Sequence, residues 1–126
     1  MVNINDETFQ DLINQALESL PGIHAKNIAN IAILYENEPS PKQRESLMLR
    51  HDQTLFGLYE GVPLPQRQGQ TRIFPDKITL FKLPLSYASK DVNDLKEHIR
   101  HTLWHEIGHY YGLDHDKIHE LEQPLK

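Results

Sequence analysis

The chain has 126 residues, of which 38% are hydrophobic and 25% charged, and its formal net charge is -5. This balance is typical of one soluble globular domain over residues 1–126, and it argues against disorder and against non-specific binding to nucleic acid or anionic membranes. The absence of cysteine excludes disulfides, thiolate ligands and a cysteine nucleophile, so any metal must bind His, Asp or Glu.

The N-terminal part of the chain predicts a helix followed by a buried strand. Apolar residues at helical spacing from Asp6 to Leu20 indicate an amphipathic helix, which either Asn5 or Asp6 is placed to cap. The run Ile28–Tyr35 is short and apolar, as in a buried strand. The segment Lys42–Arg50 fits either a short helix or a continued loop.

The C-terminal part predicts two strands and a long helix. Leu55–Val62 and Ile78–Leu83 are predicted strands, which can pair antiparallel because a long loop separates them. A helix is predicted from Ser89, as its cap, to about Leu113. One face of this helix carries an apolar stripe, formed by Val92, Leu95, Ile99, Leu103, Ile107 and Tyr110. With neither a leader nor an apolar run of membrane-spanning length, the chain is expected to be cytoplasmic.

A histidine motif lies late in this helix. Residues 105–115 read H-E-x-x-H-x-x-G-x-x-H. His105 and His109 are four residues apart, so their imidazoles lie on the same side of a helix and can bind one zinc ion, Zn²⁺. Glu106 is then placed to act as general base on a zinc-bound water. The motif predicts metal-dependent hydrolysis.

The sequence offers two candidates for the third metal ligand. Gly112 is a natural helix stop, after which the chain can turn back toward the metal. His115 is the predicted third ligand, and Asp114 is the alternative, either as a ligand or as a partner that orients a ligand histidine. The spacing matches the metzincins, but only 11 residues follow His115 and no methionine lies among them to form a Met-turn. A metzincin proper is therefore not expected.

Three segments together resemble a bacterial family of small, minimal zincin-like metallopeptidases. They are Gly57 to Leu64, Phe74 to Ile78 and His105 to Leu113, and the likeness extends from Ile28 onward. The resemblance implies an α+β zincin-like fold with an N-terminal helix, a small mixed β-sheet and a long C-terminal helix that carries the ligands. It also implies zinc-ligand roles for His105 and His109 and the general-base role for Glu106.

Two functions from different classes fit these residues. The first is a zinc-dependent peptidase whose peptide or protein substrate pairs with an edge strand, either Leu55–Val62 or Ile78–Leu83. In so short a chain the cleft should be shallow. The second is a non-catalytic, metal-stabilised module that binds a peptide or protein. The presence of Glu106 favours the enzyme, because a purely structural site has no need of a base.

Overall fold

The computed structural model describes residues 2–20, 31–50, 54–61 and 76–110. The elements in these ranges, in chain order, are helix α1 (Asp6–Ser19), strand β1 (Ile31–Glu36), helix α2 (Pro41–Ser46), strand β2 (Gly57–Glu60), strand β3 (Asp76–Phe81), helix α3 (Lys82–Ala88) and helix α4 (Val92–Tyr110). This arrangement confirms the expected α+β class, with an N-terminal helix, a small sheet and a long C-terminal helix.

The three described strands form one mixed sheet in the order β1-β3-β2. Strand β1 is parallel to β3, with Ile33 opposite Ile78. Strand β2 is antiparallel to β3, with Tyr59 opposite Ile78, which confirms the predicted pairing. Because β3 is the central strand, it cannot offer an edge to a substrate, and that alternative was wrong. Among the described strands, β2 is the edge nearest α4.

The core lies between one face of the sheet and the two long helices. Helices α1 and α4 pack against each other, and α4 also packs on β2 and β3. From α4, Leu95, Ile99, Leu103 and Ile107 are each at most 1% exposed, as the predicted stripe requires. Val92 does not belong to this stripe, because it is the first residue of the helix and remains exposed.

Side-chain caps explain where helices α1 and α2 begin. Asn5 is the cap of α1, since its side chain accepts a hydrogen bond of 2.8 Å from the Thr8 N–H. Helix α2 settles the choice that the sequence left open for Lys42–Arg50. It begins with a capping box in which Ser40 and Gln43 each bind the other's backbone N–H.

The region from residue 76 to residue 94 differs from the prediction. Strand β3 begins at Asp76 and ends at Phe81, and helix α3 follows at once although a strand was predicted up to Leu83. Pro84 is the third residue of α3. The first four N–H groups of a helix have no partner within it, so the missing N–H of proline costs no hydrogen bond there. Ser89 does not cap α4. Its hydroxyl donates to the Leu85 carbonyl instead, and Asp91 accepts the Asp94 N–H at the start of α4.

Strand β2 is also shorter than predicted. It spans Gly57–Glu60 rather than Leu55–Val62, and Val62 lies outside the described residues, as do Ile28–Asn30 at the start of the predicted first strand. The shortened strand still reaches the C-terminal half of α4, because α4 packs directly on it.

Candidate metal centre

The two histidines of the motif face each other on α4. The Nε2 atoms of His105 and His109 are 3.1 Å apart, and the two rings meet edge to face with centroids 4.7 Å apart. Both side chains are half-buried near the C-terminal end of the helix. This convergence follows from helix geometry alone, since residues i and i+4 lie one turn apart on the same face.

The histidine pair fits a zinc ion. Zinc–nitrogen bonds of about 2.0–2.1 Å at a tetrahedral angle place two ligand nitrogens about 3.3 Å apart. The Nε2 atoms at 3.1 Å are close to that separation. Together with a carboxylate oxygen of Glu106, the ligand atoms of this group all lie within 4.8 Å of one another. The donor set is thus two imidazoles with an adjacent carboxylate, which are residue types that zinc accepts as ligands.

Glu106 is held by the edge strand. Its Oε1 atom accepts a 3.0 Å hydrogen bond from the backbone N–H of Tyr59 in β2. Burial raises the pKa of the Glu106 carboxyl from 4.5 to about 7, and the bond from Tyr59 opposes part of that rise. A carboxyl group that titrates near neutrality can both accept and release a proton at physiological pH, which is the property of a general acid–base.

Strand β2 lies close to α4 because residue 57 is a glycine. A Cβ atom at Gly57 would lie 2.6 Å from the Thr102 Cγ2 atom, a separation that real contacts do not reach. Two further contacts join this part of the chain to α4. Phe56 stacks on His98 with ring centroids 6.1 Å apart, and the Tyr59 N–H donates to Glu106. The strand and the helix therefore run side by side from residue 98 to residue 106 of α4.

A second interaction of Tyr59 involves a buried acid. The Tyr59 hydroxyl donates a 2.6 Å hydrogen bond to Oδ2 of Asp76, whose side chain is almost completely buried at the start of β3. Asp76 in turn packs against Gly61, where a Cβ atom would lie 2.3 Å from the Asp76 Cγ atom. The motif analysis did not assign a role to Tyr59 or Asp76, although both lie in the segments on which the family resemblance rests.

His98, another histidine of α4, makes contacts that are structural rather than metal-binding. Nδ1 of His98 is 2.8 Å from the Ser89 hydroxyl oxygen. Because that hydroxyl already donates its proton to the Leu85 carbonyl, the His98 Nδ1–H is the donor to Ser89. His98 therefore connects α4 to the end of α3, and it lies about 10 Å along the helix from His105.

The predicted third ligand cannot be placed. His115, the alternative Asp114 and the helix stop Gly112 all lie outside the described residues, as do the final residues of the predicted helix beyond Tyr110. The site assembled from the described part of the chain consists of His105, Glu106 and His109.

Comparison with known proteins gives the family of this chain. A model of the zincin-like metallopeptidases matches residues 28–124, which includes β1 to β3 and the whole of α4. No curated protein sequence matches the chain. Within the described ranges, no helix is both long enough and apolar enough to cross a membrane. The match covers well over half of the sequence and includes the residues that form the metal centre, so the chain belongs to the zincin-like metallopeptidase family.

Proposed function

We propose that this protein is a zinc-dependent peptidase in which His105 and His109 bind the metal and Glu106 is the general base. The observation that supports it most directly is the group formed by the two Nε2 atoms, 3.1 Å apart, and the adjacent carboxylate. A structural zinc site would need no such base beside its ligands. Under this proposal His115 supplies the third ligand, with Asp114 as the alternative.

The chain's own residues have distinct roles in this reaction. When bound, zinc supplies Lewis-acid activation of water and of the scissile carbonyl. His105 and His109 hold it through Nε2, as neutral imidazoles. Glu106 would take the proton from the attacking water and pass it to the leaving amine.

Strand β2 is the best candidate to hold the substrate. It is the edge of the described sheet on the side of α4, and an extended peptide can bind an edge by the main-chain groups that Glu106 does not already occupy. A separate groove of about 440 Å³ is lined by residues of all three strands and of α2, and it does not include His105, Glu106 or His109. The proposed substrate is therefore an extended peptide or an unstructured segment of a protein.

The proposal is tested with two variants and their matched controls. Glu106→Gln should keep one zinc per chain, measured by elemental analysis after dialysis, and should lose hydrolysis of a quenched-fluorescence peptide library by at least a hundredfold. Glu97→Gln is the control, because Glu97 is an exposed glutamate of the same helix that pairs with Arg100. His109→Ala should lose zinc, whereas His101→Ala, an exposed histidine two turns earlier, should retain it.

Two results would overturn the proposal. Full turnover by Glu106→Gln would remove the base from the mechanism, and unchanged zinc content in His109→Ala would remove the metal site. A zinc-loaded crystal structure distinguishes the enzyme from the non-catalytic binding module. Three protein ligands with one open position support catalysis, and four protein ligands support the module.

A further inference from the structure

Tyr59 connects the three segments on which the family resemblance rests. Its backbone N–H donates to Glu106, 47 residues away in the sequence, and its hydroxyl donates to Asp76, 17 residues away. One side of Tyr59 thus contacts the helix of the metal centre, and the other contacts the central strand. Neither contact follows from the zinc-binding motif, since that motif is local to α4.

Asp76 is a rigid attachment point for Tyr59. It is the first residue of β3, which is paired on both sides, and its side chain is only 1% exposed. The absence of a side chain at Gly61 leaves room for the Asp76 carboxyl group, which a Cβ there would displace. A phenol–carboxylate bond of 2.6 Å is short, as in hydrogen bonds to a charged acceptor.

Strand β2 needs such an attachment because it is short and lies at an edge. It has four residues, and its N–H at Tyr59 donates to Glu106 rather than to β3. The direction of that N–H is therefore set by the orientation of Tyr59 itself. The ring of Tyr59 packs against the core and its hydroxyl is fixed by Asp76, so rotation of the strand about its axis would break both interactions.

We propose that Asp76 is a positioning residue for the reaction, which acts through Tyr59 on the catalytic Glu106. The terminal torsion of a glutamate is broad and nearly two-fold, so its two oxygens exchange places easily unless one of them is held. The Tyr59 N–H holds Oε1 of Glu106, and this leaves Oε2 to accept and return the proton. The proposal rests on the proposed function for its catalytic part, whereas the linkage between Asp76 and the Tyr59 N–H is independent of it.

The effect of Asp76 on the Tyr59 N–H is tested first in the metal-free protein, where no catalysis is needed. Amide hydrogen exchange at Tyr59 should be slow in the wild type and at least tenfold faster in Tyr59→Phe, which removes only the hydroxyl. Asp76→Leu, whose side chain is of similar size but cannot accept a hydrogen bond, should have the same effect and serves as the second variant if one of them folds poorly. Amides of β3 are the internal reference, because a general loss of stability accelerates all globally exchanging amides by the same factor. An increase at Tyr59 no larger than that of β3 would overturn the proposal.

Activity provides the second readout. Tyr59→Phe should lower kcat about tenfold while zinc affinity stays unchanged, because the variant reorients Glu106 and alters none of the metal ligands. Tyr35→Phe is the control, since Tyr35 is another partly buried tyrosine, packed edge to face on Phe9. If Glu106→Gln abolishes turnover but Tyr59→Phe retains full kcat, the positioning role fails and the proposed function stands. If Glu106→Gln remains active, the proposed function fails, and the exchange experiment still decides whether Asp76 orients Tyr59.

Discussion

The buried Glu106 should make the metal-free protein less stable as the pH rises, and the substitution Glu106→Gln should remove this dependence. In the folded protein the pKa of this carboxyl is about 7, whereas its ordinary value is 4.5. Between these two values the folded state retains a proton that the unfolded state has released. Stability from this group is therefore fully present below pH 4.5 and is lost as the pH rises through 7.

The size of the effect follows from the two pKa values. One pKa unit corresponds to about 1.4 kcal/mol, so the full loss is about 3 kcal/mol. Between pH 5 and pH 8, where both states can be measured, the loss should be about 2.5 kcal/mol. Glu106 is mostly shielded from solvent, so screening by water removes only part of this. A small domain has a total stability of only about 5–15 kcal/mol, so the change is easily detected.

The measurement is urea unfolding in the presence of a chelator at pH 5 and pH 8, for the wild type and for Glu106→Gln. The glutamine cannot ionise, yet its carbonyl oxygen can still accept the Tyr59 N–H, so titrating groups distant from Glu106 contribute equally to both proteins. The wild type should lose about 2 kcal/mol more than the variant between the two pH values. Equal losses, within about 0.5 kcal/mol, would refute the reasoning, because Glu106 would then have an ordinary pKa in the folded protein.

Three further outcomes can be checked by thermal or chemical unfolding. Met48 follows α2 in the left-handed region, with φ 56°, and its side chain is highly exposed, so Met48→Gly should stabilise the protein by about 1 kcal/mol; no gain would show that the turn is not strained. Gly57→Ala should cost about 1–3 kcal/mol through overlap with the Thr102 methyl group, and Thr102→Ser should recover most of that loss, whereas additive losses would exclude the contact as the cause. Zinc at a hundred times its Kd should stabilise the wild type by about 2.7 kcal/mol and should leave His109→Ala unchanged; stabilisation of both would indicate binding elsewhere.

The features that the sequence predicted correctly are those encoded by neighbouring residues. The i, i+4 spacing of His105 and His109 is sufficient to bring their Nε2 atoms together once the helix forms. The cap at Asn5 and the buried stripe of α4 likewise depend on positions within a few residues of one another. In each case the local pattern and the tertiary structure require the same conformation, so the prediction needed no knowledge of distant contacts.

The features that the sequence did not reveal depend on distant contacts or on competing local signals. The apolar run from Ile78 to Leu83 continues past the end of β3 at Phe81, so the strand was predicted too long. The helix that begins at Lys82 was missed because Pro84 is unfavourable in a helix interior. Asp76 resembles a polar loop residue until the structure shows it buried beside Tyr59. No periodicity in the chain relates Tyr59 to Glu106, because a hydrogen bond across 47 residues is specified only by the packing of β2 on α4.

The two parts of the metal centre therefore have different folding requirements. The histidines are four residues apart, so the formation of α4 is sufficient to bring their Nε2 atoms together. The base is oriented only after β2 has docked on α4, which brings together residues 47 apart and is a slow, non-local step. A chain in which α4 has formed but β2 has not docked would therefore have the two histidines together and Glu106 without its partner at Tyr59.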